Sequence, residues 1–271
     1  MVIVDQVGGR AVDAVKYTAS VFFMAYSSIR LGLLDQKRKG AFETMRVLFS
    51  QVYYTGVEAM PIVAIMATMT GALFIIQAHD QLSKVGGGNM IGDLMIMVIF
   101  REASPLISAL VVIARSGTAV ASELGNMMVN REVEALESLG INPLSYIVFP
   151  RLLGGVVSLL CLSFYFSAFA ILGGYFVGQF FHQMPFAFYM DNIAKALSFD
   201  DVLIFLFKNT FSGLIIFVVC CYQGLQVKNS PHEVPQVTTK AVVNSIIYVM
   251  GFNAMVTLLV YLKNLKALGI L

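Results

Sequence analysis

Thirty consecutive residues, 152 to 181, contain no charged side chain. A helix needs about 20 mostly apolar residues to cross roughly 30 Å of hydrocarbon, so this stretch reads as a membrane span that is tilted, bent or extended past the bilayer. Four further stretches, about 57–78, 94–114, 202–222 and 241–262, meet the same requirement. Backbone polar groups in hydrocarbon must be paired within the segment itself, and for apolar runs of this length that means α-helix. The expected fold is an all-α integral membrane protein with five transmembrane helices. Composition agrees, with 58% of 271 residues hydrophobic and 13% charged, against about 25% charged in soluble domains. A soluble enzyme is excluded. The formal net charge of +2 leaves no basic surface to neutralise a run of phosphates, so nucleic acid is not an expected partner.

Residues 11 to 34 differ from the spans. Asp13, Lys16 and Arg30 confine the clean apolar run to Tyr17–Ile29, too short to cross, and the segment reads as an interfacial helix lying along the membrane. Residues 1–50 are therefore taken as a cytosolic N-terminal segment without a signal peptide, and 51–271 as one five-span domain. Lys and Arg number seven in residues 1–50, three in 115–151 and two in 222–240, against four on the other side. The positive-inside rule then puts the N-terminus in the cytosol and, with five spans, the C-terminus outside. The three cysteines lie in apolar stretches without metal-ligand spacing and read as small core residues; no metal site is expected.

Three charges fall inside spans. Arg101 and Glu102 interrupt the second and Lys208 the fourth. Each costs about 2.5–3.5 kcal/mol at a helix centre, so each needs a partner or a water-lined cavity. Glu102 and Lys208 enter from the same side and lie at a depth of roughly 9–12 Å, at about 1.5 Å per residue, which puts them within reach of one another. Gln77 closes the first span on that side. The cluster suits a zwitterionic or anionic headgroup better than an inorganic ion, while an ion pair that merely pins helices together is the plainer reading. Gly117, Ala121 and Gly125 recur at the small-residue spacing that lets helices approach closely, predicting a contact seam. Gly174 and Gly178 repeat it in the third span, where flexibility facing lipid is the alternative.

Between the second and third spans the residues predict a short helix over about 130–141. Asn130 can cap its start, Glu132 and Glu134 sit at the positive end of its dipole, and Gly140 followed by Pro143 ends it. Val133, Leu136 and Gly140 share a face, which leaves Glu134 and Glu137 for water or a partner. Such an element can transmit a push from a soluble subunit. No G-x-x-x-x-G-K-[ST] loop occurs in the chain, so ATP is not bound here by that route.

Several motifs together resemble the MlaE-like permeases, the membrane subunits of ABC transporters that work with MCE proteins. They are Arg101-Glu102-Ala103-Ser104-Pro105, Ala114-Arg115-Ser116-Gly117-Thr118-Ala119, Glu123-Leu124-Gly125, Glu134-Ala135-Leu136-Glu137, Gly140-Ile141-Asn142-Pro143 and Pro150-Arg151. Gly56-Val57-Glu58-Ala59-Met60-Pro61, Thr70-Gly71 and Gln77 are similar too, so the likeness runs over roughly residues 50–260. It implies a homodimer of five-span subunits in a bacterial inner membrane. Two cytosolic ATPase subunits would use ATP and Mg, this chain holding no cofactor, and a periplasmic MCE-domain protein would exchange phospholipid with it. It implies that Arg101, Glu102 and Lys208 lie near a lipid cavity lined also by Phe74, Gln77, Ala78 and Leu82. Residues 130–141, with Glu132, Glu134, Leu136, Glu137 and Leu139, would form the coupling helix. Two departures stand out: Ser230-Pro231-His232-Glu233-Val234-Pro235 replaces a Gly- and Ala-rich approach to the last span, and Asn142 replaces an acidic residue in a turn that suits either. The competing class is an ATP-independent secondary transporter or channel using the same charges as a relay, and a third reading is a passive anchor for other subunits.

Overall fold

A computed structural model of the chain describes residues 2–39, 41–85, 91–182, 185–228 and 230–267; side chains are described for these except at 2–14, 35–39, 41–45, 80, 82–85, 182, 264, 265 and 267. Every regular element among them is helical. In chain order these are α1 (Val2–Lys39), α2 (Ala41–Thr55), a 3₁₀ turn (Val57–Ala59), α3 (Met60–Val85), α4 (Ile91–Met95), α5 (Ser104–Val112), α6 (Thr118–Val129), α7 (Glu132–Ser138), α8 (Phe149–His182), α9 (Phe186–Ala196), α10 (Phe199–Gly224) and α11 (Glu233–Ala267). π-helical segments Ile96–Ala103 and Ile113–Gly117 join α4 to α5 and α5 to α6, and a third, Leu144–Val148, leads into α8. Among the described residues five stretches are long and apolar enough to cross a membrane: Arg46–His79, Ile91–Val129, Leu144–Phe181, Phe199–Gly224 and Glu233–Lys263. The all-α membrane architecture read from hydropathy is the one observed.

Several boundaries differ from the sequence reading: the first, third and fifth spans begin earlier, at Arg46, Leu144 and Glu233, and three other differences have local causes. The second span does not stop before Arg115; it continues to Val129, because Arg115 is paired with Glu58 and so does not force the helix out of the apolar layer. The N-terminal helix runs over Val2–Lys39, well beyond 11–34, with Met24, Ala25 and Ser28 buried and Phe22, Phe23, Tyr26 and Leu34 exposed. The helix between spans two and three is shorter than 130–141, and Asn130 does not cap it. Asn130 ends α6, and its Nδ2 donates to Glu132 Oε1 at 3.2 Å. Only Asn130 and Arg131 separate α6 from α7, so the chain reverses through Arg131 in the left-handed region at φ 57°, and no residue is left to act as a conventional cap. The far end of α7 follows the expected stop. Gly140 at φ 74° closes a Schellman motif, its N–H donating to Glu137 O at 2.9 Å and that of Ile141 to Leu136 O at 3.0 Å.

Helices α8 and α10 form the centre. α8 packs on α2 and α3 along one side and on α10 along the other; α10 in turn packs on α6 and α11. Helices in lipid gain little from the hydrophobic effect and associate through close packing. Gly71 of α3 sits against the Ala170 carbonyl and Gly173 of α8 against the Thr68 backbone, with no room for a Cβ at either. The Gly117, Ala121 and Gly125 face of α6 meets Cys220, Gly224 and Val227 with Val234 respectively. Gly174 lies between α3 and Tyr189 of α9, whose hydroxyl donates to Ile171 O at 3.0 Å. Cys220 and Cys221 are buried, whereas Cys161 is exposed on the surface of α8.

Overpacking a tight core position costs about 1–3 kcal/mol, and here the obstacle is backbone. Gly71→Val is therefore expected to lower the thermal midpoint in detergent by several degrees. Gly251→Ala, where an added Cβ meets nothing within 4 Å, is expected to leave it unchanged or raise it.

Candidate functional site

The π-helical segment Ile96–Ala103 carries Arg101 and Glu102, and Pro105 follows it closely. Pro105 has no N–H to continue the helical ladder, and Ser104 N–H closes the segment on Ile99 O, five residues back. Lys208 Nζ donates to Arg101 O at 3.1 Å. The same ammonium donates to Glu102 Oε1 and Oε2 at 2.8 and 2.9 Å and to Thr257 Oγ1 at 2.8 Å. Its three donors are thus satisfied by a backbone carbonyl, a carboxylate and a hydroxyl. The Thr257 hydroxyl in turn stands 3.0 Å from Glu102 Oε2 and 2.9 Å from Asn253 O. Glu102 and Lys208, placed at similar depth by the sequence, form an ion pair that links the second, fourth and fifth spans.

The pair is asymmetric. The Lys208 side chain is 1% exposed and that of Glu102 33%, so the carboxylate faces the open side and the ammonium lies behind it. Arg101 turns away from Glu102 toward Asp201, with Nη1 to Oδ1 at 3.4 Å. Asp201 also closes the start of α10 as a capping box, accepting from Ser198 N at 3.1 Å and from Ser198 Oγ at 2.8 Å. Asp201 and Thr257 were not visible as site residues in the sequence: one reads as a helix cap, the other as an ordinary threonine in an apolar helix. Beside the pair in sequence, Phe100 stacks on Phe205 at 4.4 Å, and Phe164 meets Phe205 at 4.6 Å, an aromatic cluster that joins the second, third and fourth spans. The α10–α11 seam also carries an apolar groove of about 640 Å³ lined by residues that include Phe207, Phe211, Val256 and Leu259.

Other candidates stand apart. Gln77 is exposed on α3, Phe74 is half-buried and Ala78 is buried; among the described residues no hydrogen bond or ion pair joins Gln77 to Lys208 or Glu102. Equal depth does not by itself give contact, and Gln77 stays outside the hydrogen-bond network of the pair. The Leu82 side chain lies outside the described residues. On α7, Glu132, Glu134, Glu137 and Leu139 are exposed, Leu136 is half-buried and Val133 is buried.

Residues 48–259 match the permease family described as Permease MlaE. The chain belongs to the MlaE permease family. A probable ABC transporter permease protein of Rickettsia typhi is 29% identical over 217 residues, 80% of this chain and 84% of that one. The intermembrane phospholipid transport system permease protein MlaE of Haemophilus influenzae is 24% identical over 216 residues, 79% and 83% of the two chains. The chloroplastic protein trigalactosyldiacylglycerol 1 of Arabidopsis thaliana is 28% identical over 202 residues, 74% of this chain and 58% of that protein.

Within this MlaE-family permease, motif charges outside the central pair also find partners across helices. Arg115 pairs with Glu58 and donates from Nη1 to Tyr54 O at 2.9 Å. Arg151, buried at the start of α8, donates to Glu123 Oε1 at 2.7 Å. Asn142 Oδ1 accepts from Leu144 N at 2.9 Å, the turn that its short polar side chain allows.

Removing one partner of a buried pair costs about 3–5 kcal/mol because the other charge is left uncompensated. Glu102→Gln or Lys208→Met alone should therefore destabilise the protein more than the two together. A double-mutant cycle on thermal midpoints in detergent is expected to show a coupling of at least about 1 kcal/mol.

Proposed function

We propose that this permease is the membrane subunit of an ATP-driven phospholipid transporter, acting as a homodimer with two cytosolic ATPase subunits and a periplasmic MCE-domain protein. The observation that carries the reading is the intramembrane pair Glu102–Lys208, with the partly exposed Arg101 on the same segment, on helices α10 and α11 that also carry an apolar groove. A phospholipid presents the same two chemistries, a phosphate for cations and chains for an apolar groove. The name of the Haemophilus influenzae relative supports phospholipid as the class of cargo, and the names of the Rickettsia relatives support a place in an ABC system.

The charge bias of the loops supports a bacterial inner-membrane orientation with α7 in the cytosol. α1 then lies along the inner surface, with Phe22, Phe23 and Tyr26 toward lipid. The exposed acids of α7 and Leu139 meet the ATPase, which supplies the nucleotide chemistry. Closure of the ATPases presses α7, and the push enters α6 through Asn130–Arg131 and α8 through the Asn142 turn. Since α6 is continuous with the π-helical segments of its span, the displacement reaches Glu102 and loosens its grip on Lys208. A lipid phosphate then replaces the carboxylate from the exposed side.

The test is lipid transfer by the purified complex in liposomes. Arg101→Ala, Glu102→Ala and Lys208→Ala are expected to cut transfer by at least tenfold with the complex still assembled; loss of assembly in all three would make the charges structural. Glu134→Lys combined with Glu137→Lys is expected to lower ATPase activity of the complex severalfold. Flux through the chain alone that follows pH or membrane potential would instead favour the secondary-transporter reading, which rests on the same ion pair.

A further inference from the structure

Helix α1 is held to the bundle at two separated places. Near its middle, the Tyr17 ring packs edge-on against Tyr222 at 5.3 Å and stacks on Tyr248 at 6.0 Å. Its hydroxyl oxygen accepts from Gln223 Nε2 at 2.9 Å and from Asn244 Nδ2 at 3.2 Å. Those amides belong to the last turn of α10 and to α11 three turns after its start. Burial pushes the Tyr17 phenol above its ordinary range, so the oxygen stays a neutral acceptor. Eleven residues on, about 16 Å along a helix at 1.5 Å per residue, the buried Ser28 Oγ donates to Leu144 O at 3.0 Å. One turn further, Gly32 lies flat on the Phe149 ring with no space for a Cβ. Between the attachments runs a groove of about 510 Å³ lined by residues that include Phe23, Met24, Leu144 and Tyr222.

A lipid anchor would need only the apolar face of α1. Two buried or half-buried amides directed at one hydroxyl, and a serine hydroxyl directed at one carbonyl, hold the helix in a single register instead. The second attachment point is informative. Leu144 directly follows the turn that leaves α7, its own N–H bound to Asn142 Oδ1, while α7 packs chiefly on α6. The first attachment point grips α10 and α11, the helices that carry Lys208 and Thr257.

We propose that α1 is a coupling strap: it takes the displacement of the α7 exit turn at Ser28 and Gly32 and delivers it through Tyr17 to the last turn of α10 and to α11 at Asn244 and Tyr248. The fourth and fifth spans thereby move with the second and third, and both sides of the Glu102–Lys208 pair are driven together. This inference rests on the transporter reading above.

The experiment uses the complete complex in vesicles of phosphatidylethanolamine and phosphatidylglycerol, with ATP hydrolysis and lipid transfer measured on the same preparation. Tyr17→Phe keeps the ring and removes the acceptor oxygen. It is expected to leave hydrolysis within twofold of the wild type and to lower lipid transferred per ATP at least fivefold. Ser28→Ala is expected to act in the same direction, and the double variant to be no worse than the stronger single one, as befits two ends of one device. A Tyr17→Phe complex that transfers normally overturns the strap, as does one in which hydrolysis and transfer fall together because subunits are lost. Absence of ATP-dependent transfer in the wild type overturns the transporter reading itself, whereas a coupled wild type with an equally coupled Tyr17→Phe variant overturns the strap alone.

Discussion

The arrangement of the spans depends on one buried ammonium. Lys208 lies within an apolar helix at 1% exposure, where an unpaired charge would cost several kcal/mol. Three acceptors have to reach it at once, and they come from different places: the Glu102 carboxylate, the Thr257 hydroxyl and the Arg101 carbonyl. Satisfying them fixes the rotation and height of the second and fifth spans relative to the fourth. The close backbone approaches elsewhere, Gly71 on Ala170 and Gly224 on Ala121, bring the helices near enough for such short side chains to meet.

The second span, Ile91–Val129, is the element to which most of the charge network attaches. It supplies Arg101 to Asp201, Glu102 to Lys208, Arg115 to Glu58 and Glu123 to Arg151, and so reaches α10, the start of α3 and the start of α8. Its backbone is also the least regular, with π-helical segments at Ile96–Ala103 and Ile113–Gly117. Arg101 and Glu102 fall on the first and Arg115 on the second. π-helical turns are less favourable than α-helix and concentrate where function requires them. Here they place charges on faces that a straight α-helix of the same sequence would direct elsewhere.

Hydropathy made the spans legible because each apolar stretch is longer than a bilayer requires, so errors of a few residues at the ends do not alter the count. It failed at Arg115, where a charge was read as a boundary although its partner, Glu58, lies 57 positions earlier in the chain. Depth along a helix follows from counting residues, which is how Glu102 and Lys208 could be placed in one layer. Facing does not, since it depends on how each helix is rotated in the bundle, and Gln77 is exposed on α3 rather than joined to the pair. Thr257 and Asp201 were invisible for the same reason: their chemistry comes from contacts with residues 155 and 100 positions away. The end of α7 was legible because Gly140 needs only local geometry. Its start was not, since a two-residue reversal after α6 leaves no room for the cap that Asn130 suggests.

An ion pair inside a membrane can be a strut or a switch, and the difference lies in what can replace one partner. Were both groups fully buried, opening the pair would leave two charges in hydrocarbon, and no ligand could approach before that cost was met. In this chain the ammonium is enclosed while the carboxylate is a third exposed. An anion arriving on the open side can take over the ammonium as the carboxylate turns outward, so Lys208 need never be uncompensated. Arg101 adds a second cation whose link to Asp201, at 3.4 Å, is long for a charge-assisted hydrogen bond. A phosphate is the group that can accept from both at once, because its several oxygens point in different directions. On the proposed reading, the exchange of carboxylate for phosphate conserves the number of paired charges in the membrane. That conservation allows a pair strong enough to order three helices to open within a transport cycle.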